Sequence, residues 1–239
     1  MFMVSLICLG IFFSTNLVSA QETYFTNDNG VTLTEEEYNF LTKMYWDGYQ
    51  KIMTKNEYKT FKEKDIINGK FNEKSITITD NPITKGSTHA TNAKRLNIAT
   101  ACNGQCLVSI TLTWLAQPTI RSYDVMGSIF TGNVSRTTSV STRVASTESV
   151  NYQNNLKLFS NGYGNSFKLP SGSNVIVNQD YYVNPGGHIY ASYQHAAKNT
   201  TLAVSQNYTL NRAGFGGVFN FTGTARNIYD AMNGVDIAV

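Results

Sequence analysis

Ionisable side chains are scarce over most of this sequence. From Gly86 to Val239 there are five acids (Asp124, Glu148, Asp180, Asp230 and Asp236), and the whole chain has three histidines, His89, His188 and His195. Proton-transfer chemistry needs positioned pairs of such groups, so the shortage disfavours catalysis. The familiar catalytic frames are also missing. No Gly-x-Ser-x-Gly elbow occurs, and the glycine-rich stretches Asn161–Gly164 and Ala213–Gly217 lack the Lys-Ser/Thr ending of a phosphate loop. No twelve-residue loop carries acids at EF-hand positions, and no second Cys pair or close His pair joins Cys102 and Cys106 to complete a zinc site. The residues therefore call for no metal and no cofactor. His188 and His195 flank one strand-like run seven residues apart, an odd separation that puts them on opposite faces of a period-two element.

Charge is thin as well. From Gln21 to Lys85, nine lysines meet eleven acids, a net −2; from Gly86 onward, four lysines and six arginines meet five acids, a net +5. The basic residues are spread singly except for Lys94-Arg95, too sparse a footprint for nucleic acid. The change in charge and in Lys-to-Arg usage marks a boundary between two segments.

Long apolar runs are confined to the first twenty residues. Phe2, Val4, Leu6, Ile7, Leu9, Ile11, Phe12 and Phe13 form a run too short to span a bilayer, followed by Val18-Ser-Ala20, with small residues that suit a signal peptidase. This predicts an export leader over 1–20, cleaved after Ala20, and a secreted or extracellular, disulfide-permissive product with no stable transmembrane segment.

What is present first is a repeat. Leu33-Thr-Glu-Glu-Glu-Tyr-Asn-Phe-Leu41 recurs as Met53-Thr-Lys-Asn-Glu-Tyr-Lys-Thr-Phe61. In both copies Thr stands three residues before Glu, the spacing of a capping box, and the flanking apolar and Tyr residues match a hydrophobic staple. Two helices are predicted, Glu35 to Asp47, ended by Gly48, and Lys55 to Asp65, forming a helical hairpin within 21–73. One apolar stripe on such a hairpin usually faces the protein's own core.

Over 74–239 the period drops to two, and short runs rich in Val, Ile, Thr, Tyr and Phe alternate with Gly, Asn, Ser and Pro. This predicts a mainly β domain, an antiparallel jelly-roll-like sandwich. Strands are expected near Ser75–Thr79, Arg95–Ala101, Leu107–Leu115, Ser122–Phe130, Ser139–Ser146, Asn174–Tyr182, His188–His195, Thr200–Leu210 and Gly217–Thr222. A short helix is expected at Ala225–Met232, capped by Thr224. Cys102-Asn-Gly-Gln-Cys106 lies between two strands, and Asn-Gly suits a tight turn, so Cys102 and Cys106 are expected to form a structural disulfide. Thr131–Ser149, nearly all small hydroxyl residues with sparse valine, reads as an exposed edge strand or mobile loop, because its apolar positions are too few for the lipid-facing band of a pore-forming hairpin.

Aromatics are the strongest functional lead, since a flat ring can stack on a sugar and offer a hydroxyl. Tyr163, between two glycines, is the ring most expected to be exposed. With Tyr181, Tyr190 and Tyr193 it forms the candidate ligand-binding set, joined by Arg121 and Asp124. Asp124 could instead make a structural ion pair with Arg121 or Arg143. Together these features predict a secreted, non-catalytic surface or extracellular binding protein, with carbohydrate or another cell-surface polymer as ligand. The alternatives are a secreted glycan hydrolase and a membrane-active or pore-forming protein.

Overall fold

The computed structural model describes residues 23–78, 94–211, 217–230 and 234–239. The leader, His89 and the end of the expected C-terminal helix lie outside the described residues.

The repeat forms helices as its spacing predicts. Helix α1 (Glu35–Met44) and helix α3 (Lys55–Glu63) each begin with a complete capping box. Thr34 and Thr54 accept from the amides of Glu37 and Glu57 at 3.2 and 3.3 Å, and each Glu carboxylate takes the Thr amide in return, at 3.0 and 2.7 Å. Each box satisfies amides that a helix start would otherwise leave orphaned. Among the elements not foreseen in this segment are a small hairpin of β1 (Phe25–Thr26) and β2 (Thr32–Leu33) and a one-turn helix α2 (Tyr49–Ile52). Gly48, expected to end α1, instead precedes α2 at φ +104°.

The rest is mainly antiparallel sheet. Its strands are β3 (Lys70–Ile78), β4 (Lys94–Asn103), β5 (Gln105–Trp114), β6 (Tyr123–Phe130), β7 (Ser135–Arg136), β8 (Ser141–Ala145), β9 (Val150–Tyr152), β10 (Leu156–Phe159), β11 (Gly162–Lys168), β12 (Ile176–Asn184) and β13 (His188–Gln194); after a short helix α4 (Leu202–Ser205) come β14 (Tyr208–Leu210), β15 (Phe219–Phe221) and β16 (Val235–Ala238). One sheet has the order β3-β4-β5-β12-β8-β9, with β7 also paired to β12, and the other β10-β11-β6-β13-β16.

Period-two alternation decides which side chains meet. Leu96, Ile98, Val108, Ile110, Leu112, Val177, Met126, Phe167, Ile189 and Tyr193 point between the sheets and form the central core. Removing such a side chain from water stabilises by roughly 1.5–3 kcal/mol. The opposite faces are covered too. Ala99, Ala101, Leu107 and Tyr182 meet the helical segment through Leu41, Tyr45, Tyr49 and Phe61, and Val125 and Ile129 meet the β14–β15 hairpin through Tyr208 and Phe219. The helical hairpin therefore packs on the larger sheet. Asn178, caught beneath it, donates to Ser109 Oγ at 2.9 Å and Thr111 Oγ1 at 3.0 Å.

Several local expectations are corrected. Thr200–Leu210 is not one strand: Thr201 caps α4 by accepting from the Val204 amide, and only β14 is extended. Part of the hydroxyl-rich segment is not an edge, because β8 lies between β12 and β9; β7, in the same segment, pairs with β12 alone. Thr224 lies inside a 3-10 turn (Gly223–Asn227) that follows Thr222, so it caps nothing. The Cys102–Cys106 disulfide is present, joining register partners at the end of the β4–β5 hairpin, whose tip residue Gly104 has φ +73°. Closing so small a ring is worth about 2 kcal/mol on loop entropy.

Candidate ligand-binding site

The six residues singled out in the sequence do not converge. Tyr163, expected to be exposed, has 0% of its surface exposed. Gly162 and Gly164 make no loop around it but lie in β11 itself, whose odd positions point between the sheets. Its hydroxyl donates to Gln179 Oε1 at 3.0 Å, and its ring meets Tyr181 edge-on with centroids 5.2 Å apart. Tyr181 is buried beside it and shares a hydrogen bond with Ser128 Oγ at 3.0 Å. Tyr190 points to the other face of β13 and stacks on His188 at 6.0 Å. Arg121 ties a loop, donating to the Pro170 carbonyl and to the Gly172 carbonyl at 2.7 Å.

Asp124 and Tyr193 do meet, in a buried polar knot at one end of the sandwich. Neither Arg121 nor Arg143 is the partner of Asp124. Its carboxylate accepts from the Tyr193 hydroxyl, from His195 Nδ1 at 2.9 Å and from the Ala196 amide at 2.9 Å. Trp114 Nε1 donates to the Tyr193 hydroxyl at 3.2 Å. Beside them the fully buried Lys94 ammonium donates to Asp230 Oδ2 at 2.6 Å, and Asp230 accepts the His195 amide at 2.8 Å. Burial opposes a charged imidazole, but Asp124 and Asp230 outweigh it and raise the His195 pKa. Each carboxylate is held by several donors, which makes this knot a means of satisfying buried charge.

The more open chemistry lies where the helical segment meets the outer face of the larger sheet. A cleft of about 280 Å³ is lined by residues including Tyr45, Tyr49, Glu57, Thr138, Asp180 and Tyr182. This is close to the small end of the roughly 300–1,000 Å³ usual for ligand sites and leaves room for one ring-sized group. The Tyr45 and Tyr49 rings stack at 3.9 Å. Burial raises the pKa of both well above the ordinary phenol value, so they stay neutral.

The two cleft carboxylates share one cation. Arg143 of β8 is 1% exposed; its Nη1 donates to Asp180 Oδ1 and to Asn178 Oδ1, and its Nη2 to Glu57 Oε1. The guanidinium also lies over Tyr49 at 5.2 Å and Tyr152 at 5.4 Å. Glu57 is fully engaged, because its Oε2 closes the α3 capping box. Asp180 keeps Oδ2 without a hydrogen-bond donor among the described residues. Burial raises its pKa in spite of Arg143.

Sequence reasoning placed Asp180 among the few carboxylates a hydrolase could use and Arg143 as a possible partner of Asp124, and passed over Tyr45, Tyr49, Glu57 and Tyr182 as a site. The alternation of β12 could have placed Asp180 and Tyr182 on one face. Nothing local showed that α3 would lie against that face.

A wider groove of about 630 Å³ is lined by Lys70, Glu73, Cys102 and the end of β16 among others, but it presents no aromatic ring. Among the described residues, no group of three His, Cys, Asp or Glu side chains converges to hold a metal, and no helix is long and apolar enough to cross a membrane.

No family model and no curated protein matches this chain. A solved structure, the enzymatically active domain of tailspike protein 4 from bacteriophage CBA120, matches 54% of this chain at 13% identity and a TM-score of 0.24. The matched part spans 19% of that chain, and a score so low carries no conclusion about fold or function.

Proposed function

We propose that this is an exported binding module that holds carbohydrate in the cleft between the helical segment and the larger sheet. The observation that carries the reading is the meeting, in one cavity, of the Tyr45 and Tyr182 rings with the half-engaged carboxylate of Asp180. Sugars are recognised by this pairing of an aromatic wall with fixed polar acceptors, because rings bury the apolar C–H face while carboxylates take hydroxyl protons. Thr138, Ser139 and Asn56 add hydroxyl and amide groups at the rim.

The same geometry favours binding over hydrolysis. A glycosidase needs two carboxyl groups on opposite sides of the bond, one of them free to deliver a proton. Here both are bonded to one guanidinium, and Glu57 has its second oxygen occupied by Thr54, so Asp180 alone keeps an open oxygen and has no free second carboxyl to work with.

The test is a glycan and cell-wall polymer array probed with the protein from Gln21 onward, with mass spectrometry of each polymer afterwards. Retention without cleavage is expected, with binding lost in Ser139→Trp, which fills the mouth of the cleft from an exposed position. Cleavage products, or undiminished binding by that variant, would overturn the assignment.

A further inference from the structure

We propose that the cleft selects a cationic sugar, one whose ring carries a free ammonium group, as in the de-N-acetylated amino-sugar units of a surface polymer. This rests on the carbohydrate reading above and specifies its ligand.

The charge arrangement supplies the first reason. Glu57 and Asp180 both line the cleft, whereas Arg143, the one cation bonded to them, is not among the lining groups. The guanidinium is buried behind the two carboxylates and flanked by Tyr49 and Tyr152. A ligand therefore meets the two carboxylates first, with Arg143 behind them. An anionic uronate or phosphate entering there would face those carboxylates, while the neighbouring cations Lys64 and Arg136 are held by Gln105 and by the Thr138 carbonyl.

The second reason is an unfilled valence. Asp180 Oδ2 receives no donor among the described residues, although Oδ1 is bonded to Arg143. A part-buried carboxylate that opens on the cleft gains most from a charged donor, because charge-assisted hydrogen bonds are the stronger class. That its pKa is raised by burial, against the pull of Arg143, agrees with a carboxylate short of positive charge.

The third is the aromatic wall. Tyr45 and Tyr182 line the same space, and a ring face attracts a cation within about 6 Å of its centroid. Lys64 lies 5.1 Å over the Tyr182 ring, but its ammonium is bonded to Gln105 at 2.6 Å near the β4–β5 tip, and Lys64 does not line the cleft.

Isothermal titration with four soluble oligomers tests this: β-1,4-linked glucosamine, its N-acetylated counterpart, a neutral β-glucan and a polyuronate. The glucosamine oligomer is expected to bind at least ten-fold more tightly than the N-acetylated one. Asp180→Asn should erase that preference with an unchanged circular dichroism spectrum, and Ser139→Trp should abolish binding. Equal binding of the N-acetylated or neutral oligomers would overturn the cationic selectivity and leave the carbohydrate reading standing. Failure of all four would count against both. Glucosamine binding that survives Ser139→Trp would mark general attraction of a polycation to the surface and overturn the proposal.

Discussion

Glu37 and Lys62 meet across the helical segment at 2.5 Å, so the carboxylate that closes the capping box of α1 also fastens α1 to α3. The Tyr58 hydroxyl donates to the same carboxylate at 3.1 Å. One side chain thus satisfies a helix start and a tertiary contact together.

Glu37→Gln is expected to destabilise the protein by about 1–2 kcal/mol. Glutamine can still take the Thr34 amide in a capping box, so the loss is that of the charge-assisted hydrogen bonds from Lys62 and Tyr58 to a carboxylate, reduced by solvent at the half-exposed Lys62. Burial alone would raise the Glu37 pKa, but Lys62, the Thr34 amide and Tyr58 outweigh it and hold the carboxyl below its ordinary value of 4.5. A lowered folded pKa gives stability that is complete above the ordinary value and lost as pH falls through the folded one. Urea midpoints at pH 7 and pH 3 should therefore show the gap between wild type and variant narrowing at the acid end. A gap independent of pH would remove the charge from the explanation.

The Asp124–His195 pair carries the opposite slope. Because the folded His195 pKa is raised, its stabilisation is complete below the ordinary histidine value of 6.5 and declines as pH rises through the folded value. His195→Gln should flatten the wild-type fall in Tm between pH 6 and 9. Asp124→Asn should cost about 3 kcal/mol or more, since a buried cationic ring loses its counter-charge. Imidazole proton shifts followed by NMR give the check: a midpoint at or below 6.5 would refute the pairing energetics.

Gly164 lies where the β14–β15 hairpin rests on the smaller sheet. A Cβ added there would come within 2.5 Å of the Tyr208 hydroxyl and 2.8 Å of the Phe219 ring. Gly164→Ala is expected to cost about 2 kcal/mol by overpacking and to increase amide exchange in β14 and β15. Adding Tyr208→Phe should restore part of the loss, because it deletes the nearest atom. Strictly additive effects in that double-mutant cycle would show that the two residues do not touch.

The helix starts and most strands were legible because their signals are local: Thr34-to-Glu37 and Thr54-to-Glu57 spacing, and period-two runs such as Leu107–Leu115. The strands that escaped notice have few of those signals. Tyr163 stands between two glycines that suggest a turn, and only its partners across β6 and β10 show that Gly162 and Gly164 belong to a strand. The cleft was illegible for a different reason. Glu57, Arg143 and Asp180 come from three distant stretches, and each reads alone as an ordinary surface charge. Ser109, Thr111 and Asn178 likewise read as a solvated face until the helical segment covers them.

Because one wall of the cleft belongs to α2 and α3 and the other to the sheet, whatever occupies it acts as a rivet between them. Occupancy must then disfavour the lifting of the helices from the strands, with a free energy that grows as the logarithm of ligand concentration over its dissociation constant. With the cleft vacant, the joint rests on the packing of Leu41, Tyr45, Tyr49 and Phe61 against the sheet and on Arg143, whose single guanidinium bonds Glu57 on one side and Asp180 on the other.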